Sequence, residues 1–388
     1  MHKLFPAAVL AGWLFYALPL AAQLQCSVVV NTAEDELMLA VNGATENPQN
    51  QVAALDKYAQ AHADSKFMPC VNNSYTSAYL KLNNFDKAIE YGEKNIAANQ
   101  LDINQMLNLM KAYVASGKVT DLTFDAIGKA AGQIKVESKP DRPSTMNDAD
   151  FAKLQEESAA TAKDQRAYAE YAFFQLLPRV TDPTKRVQYL DAFVQAYPDT
   201  PNGAQVNFQY FVAYSYANNP AKAEEYGEKA IAGDPNNVEY LDTLASDYST
   251  RRVNLDKATE YAKKVLQLAP AVKKPEGTTD EQFKATQNSQ LGIAHLTLGY
   301  VGFLKAEKTH KVADVISEFK SAIDLLEGNP ELQGKALFFL GNAYEFETPA
   351  NHKAAVDALT RASNLQTSFQ APSKDLLAKV KKAAHMKD

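Results

Sequence analysis

Cysteine is scarce in this chain of 388 residues. Cys26 and Cys70 are the only two, and they do not form a Cys-x-x-Cys pair. This excludes zinc sites built from spaced cysteine pairs, and it excludes a disulfide-dense scaffold. One candidate disulfide remains, Cys26 with Cys70, suited to an oxidising compartment. Histidine is sparse too: of six residues, His62, His295, His310 and His352 lie in the body of the chain, and none falls in a His-Glu-x-x-His run. Gly-x-x-x-x-Gly-Lys-Ser/Thr, Gly-x-Gly-x-x-Gly and Gly-x-Ser-x-Gly are all missing. With them go the usual signals for a nucleotide phosphate, a dinucleotide and a serine nucleophile. No catalytic residue, metal ligand or cofactor is expected. A hydrolase or small-ligand-binding protein ranks last among the functional readings.

Positive charge is not in excess. Forty Lys and Arg face forty-six Asp and Glu, a net charge of -6. Nucleic acid, which needs a concentrated basic footprint, is not an expected partner. Long apolar runs are missing after the first residues. The opening, "MHKLFPAAVLAGWLFYALPLAAQLQC", has Lys3 before an apolar stretch from Leu4 to Ala22 that ends in Ala-Ala-Gln. That is the pattern of a secretory signal over residues 1–22. An uncleaved anchor is the alternative, since the stretch is long enough to cross a bilayer; Pro6, Gly12 and Pro19 favour cleavage. Cys26 follows Leu24 and Gln25 rather than a small residue, so lipidation is not expected. Membrane contact is expected only through an uncleaved N-terminus or through a partner.

What the chain does have is repetition. "AIEYGEKNIAANQ" at 88–100 returns as "AEEYGEKAIAGDP" at 223–235, an offset of 135 residues from Ala88 to Ala223. The same offset relates Leu55 to Leu190, Tyr75 to Tyr210, Tyr79 to Tyr214, Asn83-Asn84 to Asn218-Asn219 and Lys139-Pro140 to Lys274-Pro275. Such self-similarity marks stacked repeats. Within a copy the spacing is helical: Tyr75, Ala78, Tyr79 and Leu82 share one face, and Ala88, Ile89, Gly92 and Ile96 share the next. Each copy therefore predicts a helix hairpin, closed in the second by Asp234-Pro235.

Aromatic and small residues, a polar turn, an Ala at the helix crossing and a terminal Pro together resemble the tetratricopeptide repeat family, and four of its 34-residue units come close to the observed offset. Further units look similar: Leu241, Leu244, Ala245 and Tyr248 before Ala258 and Ala262, and Leu337, Leu340, Gly341 and Tyr344 before Ala355 and Leu359. "LDKYAQAHADSK" and "LDAFVQAYPDTP" also resemble helix endings in bacterial envelope proteins with such repeats.

The resemblance implies an all-α, right-handed superhelical solenoid of stacked antiparallel helix hairpins. Its expected divisions are a leader (1–22), a first module (23–135), a loop or linker (136–150), a second module (151–271), a loop or linker (272–282) and a third module (283–388). "APSKDLLAKVKKAAHMKD" reads as a C-terminal capping helix with Leu376, Leu377 and Val380 inward. Family geometry places Asn73, Ser77, Phe208, Val212, Tyr216, Asp242, Ser246, Phe338 and Asn342 on the concave face of first helices. Only Lys335 and Asn342 match the Lys and Asn clamp that some members use for acidic chaperone tails, so that role is not expected. The implied function is a non-catalytic exported scaffold, periplasmic or secreted, that binds an unknown protein or peptide. An accessory subunit of an envelope assembly or transport machine is the alternative.

Overall fold

A computed structural model describes residues 32–100, 102–306 and 311–386 of the chain. The expected leader and Cys26 lie outside these residues; Cys70 is buried and disulfide-bonded. Among the described residues there are seventeen α-helices and no strand. None of these helices is long and apolar enough to cross a membrane.

The chain divides after Thr200 into two compact units. In the first, α1 (Ala33–Gly43) pairs with α2 (Pro48–Ala61), α3 (Met68–Lys81) with α4 (Phe85–Ala97), and α5 (Ile103–Ser116) with α6 (Thr123–Glu137). The 29-residue α7 (Asp148–Leu176) follows, then α8 (Pro183–Ala196). In the second unit α9 (Gly203–Tyr216) pairs with α10 (Pro220–Gly233), and α11 (Val238–Arg251) with α12 (Leu255–Leu268). Next α13 (Asp280–Ala306) pairs with α14 (Ala313–Leu325), and α15 (Pro330–Glu345) with α16 (His352–Asn364). Helix α17 (Gln370–Ala383) packs on α16 and α15, with Val380 buried and Leu376 and Leu377 half-buried against the core. Of the expected linkers, residues 138–147 lie between α6 and α7 and residues 272–279 lie before α13, while 136–137, 148–150 and 280–282 belong to the helices.

Local chemistry explains where the helices begin. Asn47, Asn84, Asn219 and Asn351 each accept a hydrogen bond from a backbone N–H in the first turn that follows, which occupies a donor the helix leaves free. Proline stands at the start of α2, α8, α10 and α15, where its missing N–H is not needed. Asn83 and Asn218 end α3 and α9 at φ 56° and 53°, in the left-handed region that Asn tolerates better than most residues.

The duplication is physical as well as textual. Tyr75, Tyr79 and Tyr91 stack as a trio, with centroids 4.1 Å apart for Tyr75 and Tyr91, and Tyr210, Tyr214 and Tyr226 repeat it, with 4.5 Å for Tyr210 and Tyr226. A lysine covers the outer ring each time, Lys94 over Tyr91 and Lys229 over Tyr226. Gly92 on α4 lets Leu109 of α5 approach so closely that a Cβ would lie 2.8 Å from it. Gly227 on α10 does the same for Leu244 of α11, also at 2.8 Å. The Tyr113 hydroxyl donates to Glu93 at 2.6 Å, and that of Tyr248 to Glu228 at 2.6 Å.

Candidate binding surface of the first helices

In the first unit α3, α5 and α7 lie side by side; in the second α11, α13 and α15 do. Such rows form because each hairpin buries its apolar stripe on its neighbours. The residues expected on the concave face are divided between the two units. Asn73 and Ser77 belong to the first unit, and both are half-buried. Asn73 turns to its own hairpin, where its Oδ1 accepts from Asn95 Nδ2 at 2.6 Å. Asn95, which is buried, also donates to the Pro69 carbonyl and accepts from Asn72.

In the second unit Phe208 is buried, 6% exposed, and stacks on Tyr240 at 4.4 Å. It packs against α11 instead of standing open on the face assigned to it by family geometry. Val212 is half-buried, and Tyr216 is the exposed ring of that helix at 74%. Phe338 is half-buried against Phe339 and Phe369. Asn342 Nδ2 donates to the Phe338 carbonyl at 2.9 Å, and Ser246 is half-buried.

Asp242 differs from the rest. It is 6% exposed, its Oδ1 has no hydrogen-bond partner, and burial holds its carboxyl well above the ordinary value. One turn earlier Glu239 is solvent-accessible, yet surrounding protein also raises its carboxyl. A group on a ridge would be both accessible and well solvated, whereas water reaches Glu239 although protein crowds it. Lys335 on α15 repeats this with the opposite charge: it is half-exposed, and burial lowers its ammonium. Its Nζ lies 5.2 Å from the centre of the Tyr300 ring on α13, and the Tyr300 hydroxyl accepts from Arg252 Nε at 3.1 Å. Helix α11 therefore carries two crowded acidic groups, and α15 carries a crowded cation. Glu239 was missed in the sequence because its role depends on what surrounds it.

Two cavities stand out. One of 720 Å³ opens among residues 311–314, at the start of α14, and residues 347–351. The other, of 160 Å³, is bounded by Glu137 of α6 and by Glu157, Ser158, Thr161 and Gln165 of α7. His295 and His352 each meet a single carboxylate, Glu318 and Glu345. Among the described residues no group of three or more His, Cys, Asp or Glu is placed to hold a metal ion.

The architecture is that of an all-α protein of antiparallel helix hairpins, tetratricopeptide-like in each unit. No protein-family model and no curated protein matches the chain. Among solved structures it is similar to the APC/C hetero-tetramer Cut9-Hcn1, at 13% identity over 92% of this chain and 91% of that one, with a TM-score of 0.29. It is also similar to yeast Tom70, at 11% identity over 91% of this chain and 96% of that one, with a TM-score of 0.31.

Proposed function

We propose that the protein is a non-catalytic, exported scaffold that binds a segment of a protein partner along the inner face of the second unit. The observation that carries this reading is Asp242, a buried carboxyl with an unpaired oxygen on the inner face of a first helix. Leaving a buried acceptor unmade is costly, and folds retain such groups where a ligand completes them. Glu239 beside it and Lys335 on α15 supply polar ends of opposite sign, while the half-buried Phe338 offers apolar surface. That combination suits a peptide segment with a basic side chain toward α11 and an acceptor toward α15. Export rests on the leader-like opening of the sequence and places the protein in the periplasm or outside the cell.

A photo-reactive amino acid at Asn342, on the inner face of α15, tests the groove against the same probe at Asp357, exposed on α16. Adducts formed from position 342 and lost on adding Asp242→Lys are expected. Equal adducts from both positions, or adducts indifferent to Asp242→Lys, would sink the groove reading. Intact mass of the protein recovered from its cell of origin tests export, with removal of roughly the first twenty residues expected.

A further inference from the structure

We propose that the 160 Å³ cavity between the end of α6 and the middle of α7 binds a primary ammonium group, carried by a small alkylamine or by a lysine side chain. The volume equals the liquid share of about five waters, enough for such a head and part of its stem. Glu157, Thr161 and Gln165 are spaced four residues apart and stand in one file along α7, with Ser158 beside them. Glu137 enters from the last turn of α6, where free carbonyls and the helix dipole favour a cation.

Every residue of this lining presents an acceptor oxygen, and Gln165 fixes the polarity. It is 8% exposed, and its Oε1 is shut off from solvent with no hydrogen-bond partner. An amide oxygen can only accept, so this atom calls for a donor. Burial raises the Glu137 carboxyl, the Gln165 bond opposes that, and the Asp102 charge adds to it. Glu157 meets Lys153 at 3.7 Å, an exposed pair that an entering ligand can displace. An alkylammonium brings three N–H donors and one positive charge, matching two carboxylates and an orphaned amide oxygen. A quaternary ammonium has the charge without the donors, and an anion has neither. The site belongs to the first unit and does not rest on the groove of the second.

Titration of the full chain with n-butylammonium chloride, read by amide chemical shifts, tests the proposal. Saturable shifts at α6 and α7 are expected, with affinity about tenfold weaker in Glu137→Gln and again in the exposed variant Glu157→Gln. Tetramethylammonium is expected to bind at least about tenfold more weakly than butylammonium. Nα-acetyl-lysine methylamide separates the sources: binding as tight as butylammonium assigns the site to a lysine side chain, and no binding assigns it to free amines. The proposal is overturned by no saturation below ~100 mM amine. Equal binding of tetramethylammonium, or unchanged affinity in both folded variants, would likewise leave a cavity that holds water only.

Discussion

Glycine at residues 92 and 227 shows how one missing carbon sets the distance between hairpins. The leucine facing each is fully buried, so its side chain has nowhere to go when a Cβ arrives. Gly227→Ala is therefore expected to cost about 1–3 kcal/mol in urea unfolding, although alanine is the better helix former. Adding Leu244→Ala makes room, so the double variant should lose less than the sum of the single losses. Asp242 gives a second test at this scale. Its folded-state carboxyl is raised, so its contribution to stability is complete at pH values below the ordinary 3.8. As pH rises the unfolded chain releases the proton before the folded one does, and stability falls until the folded-state value is passed. Asp242→Asn should abolish that decline and unfold at higher urea than the parent at pH 7. The sequence assigned Asp242 to a groove-facing position only through the family resemblance. It could not say that neighbouring helices close over that face, because burial depends on chain far away in number.

At the scale of the helix, the repeated tyrosine bonds join one hairpin to the next. Tyr113 of α5 reaches back to Glu93 of α4, where the Thr120 hydroxyl also donates. In the second copy Glu228 of α10 takes both Tyr248 of α11 and Tyr261 of α12, with Lys257 at 3.0 Å. Burial pushes the Glu228 carboxyl up, but these donors bring it below its ordinary value. Tyr113→Phe is expected to cost on the order of 1.5–3 kcal/mol. Tyr248→Phe should cost less, since Tyr261 and Lys257 still hold the carboxylate. Chemical denaturation of the two variants makes the comparison. Helix α17 was legible from its apolar face, and its packing is tested by hydrogen exchange. Leu376→Ser with Leu377→Ser should raise amide hydrogen exchange in α15 and α16, which it covers. The lengths of α7 and α13 were not legible, since their first halves are polar and largely exposed and carry no apolar stripe. The acceptor cavity was hidden for a related reason: Glu137 and Gln165 sit in different helices and share no motif.

At the scale of the molecule, hairpin stacking makes stability a sum of neighbour terms. A lesion at Gly227 should loosen α9 to α12 in hydrogen exchange and leave α15 and α16 protected, and uniform loosening would contradict this. The hairpin plan was legible because one phrase, returning at an offset of 135 residues, forced one geometry twice. A final consequence belongs to light. The chain holds one tryptophan, Trp13, and nineteen tyrosines. If the leader is removed, the mature protein carries no indole, and its ultraviolet emission comes from phenol rings alone. The six rings of the two stacked trios, together with Tyr113 and Tyr248 bonded to carboxylates, are placed for self-quenching and proton sharing in the excited state. Unfolding should therefore brighten this protein, reporting its own packing without a dye.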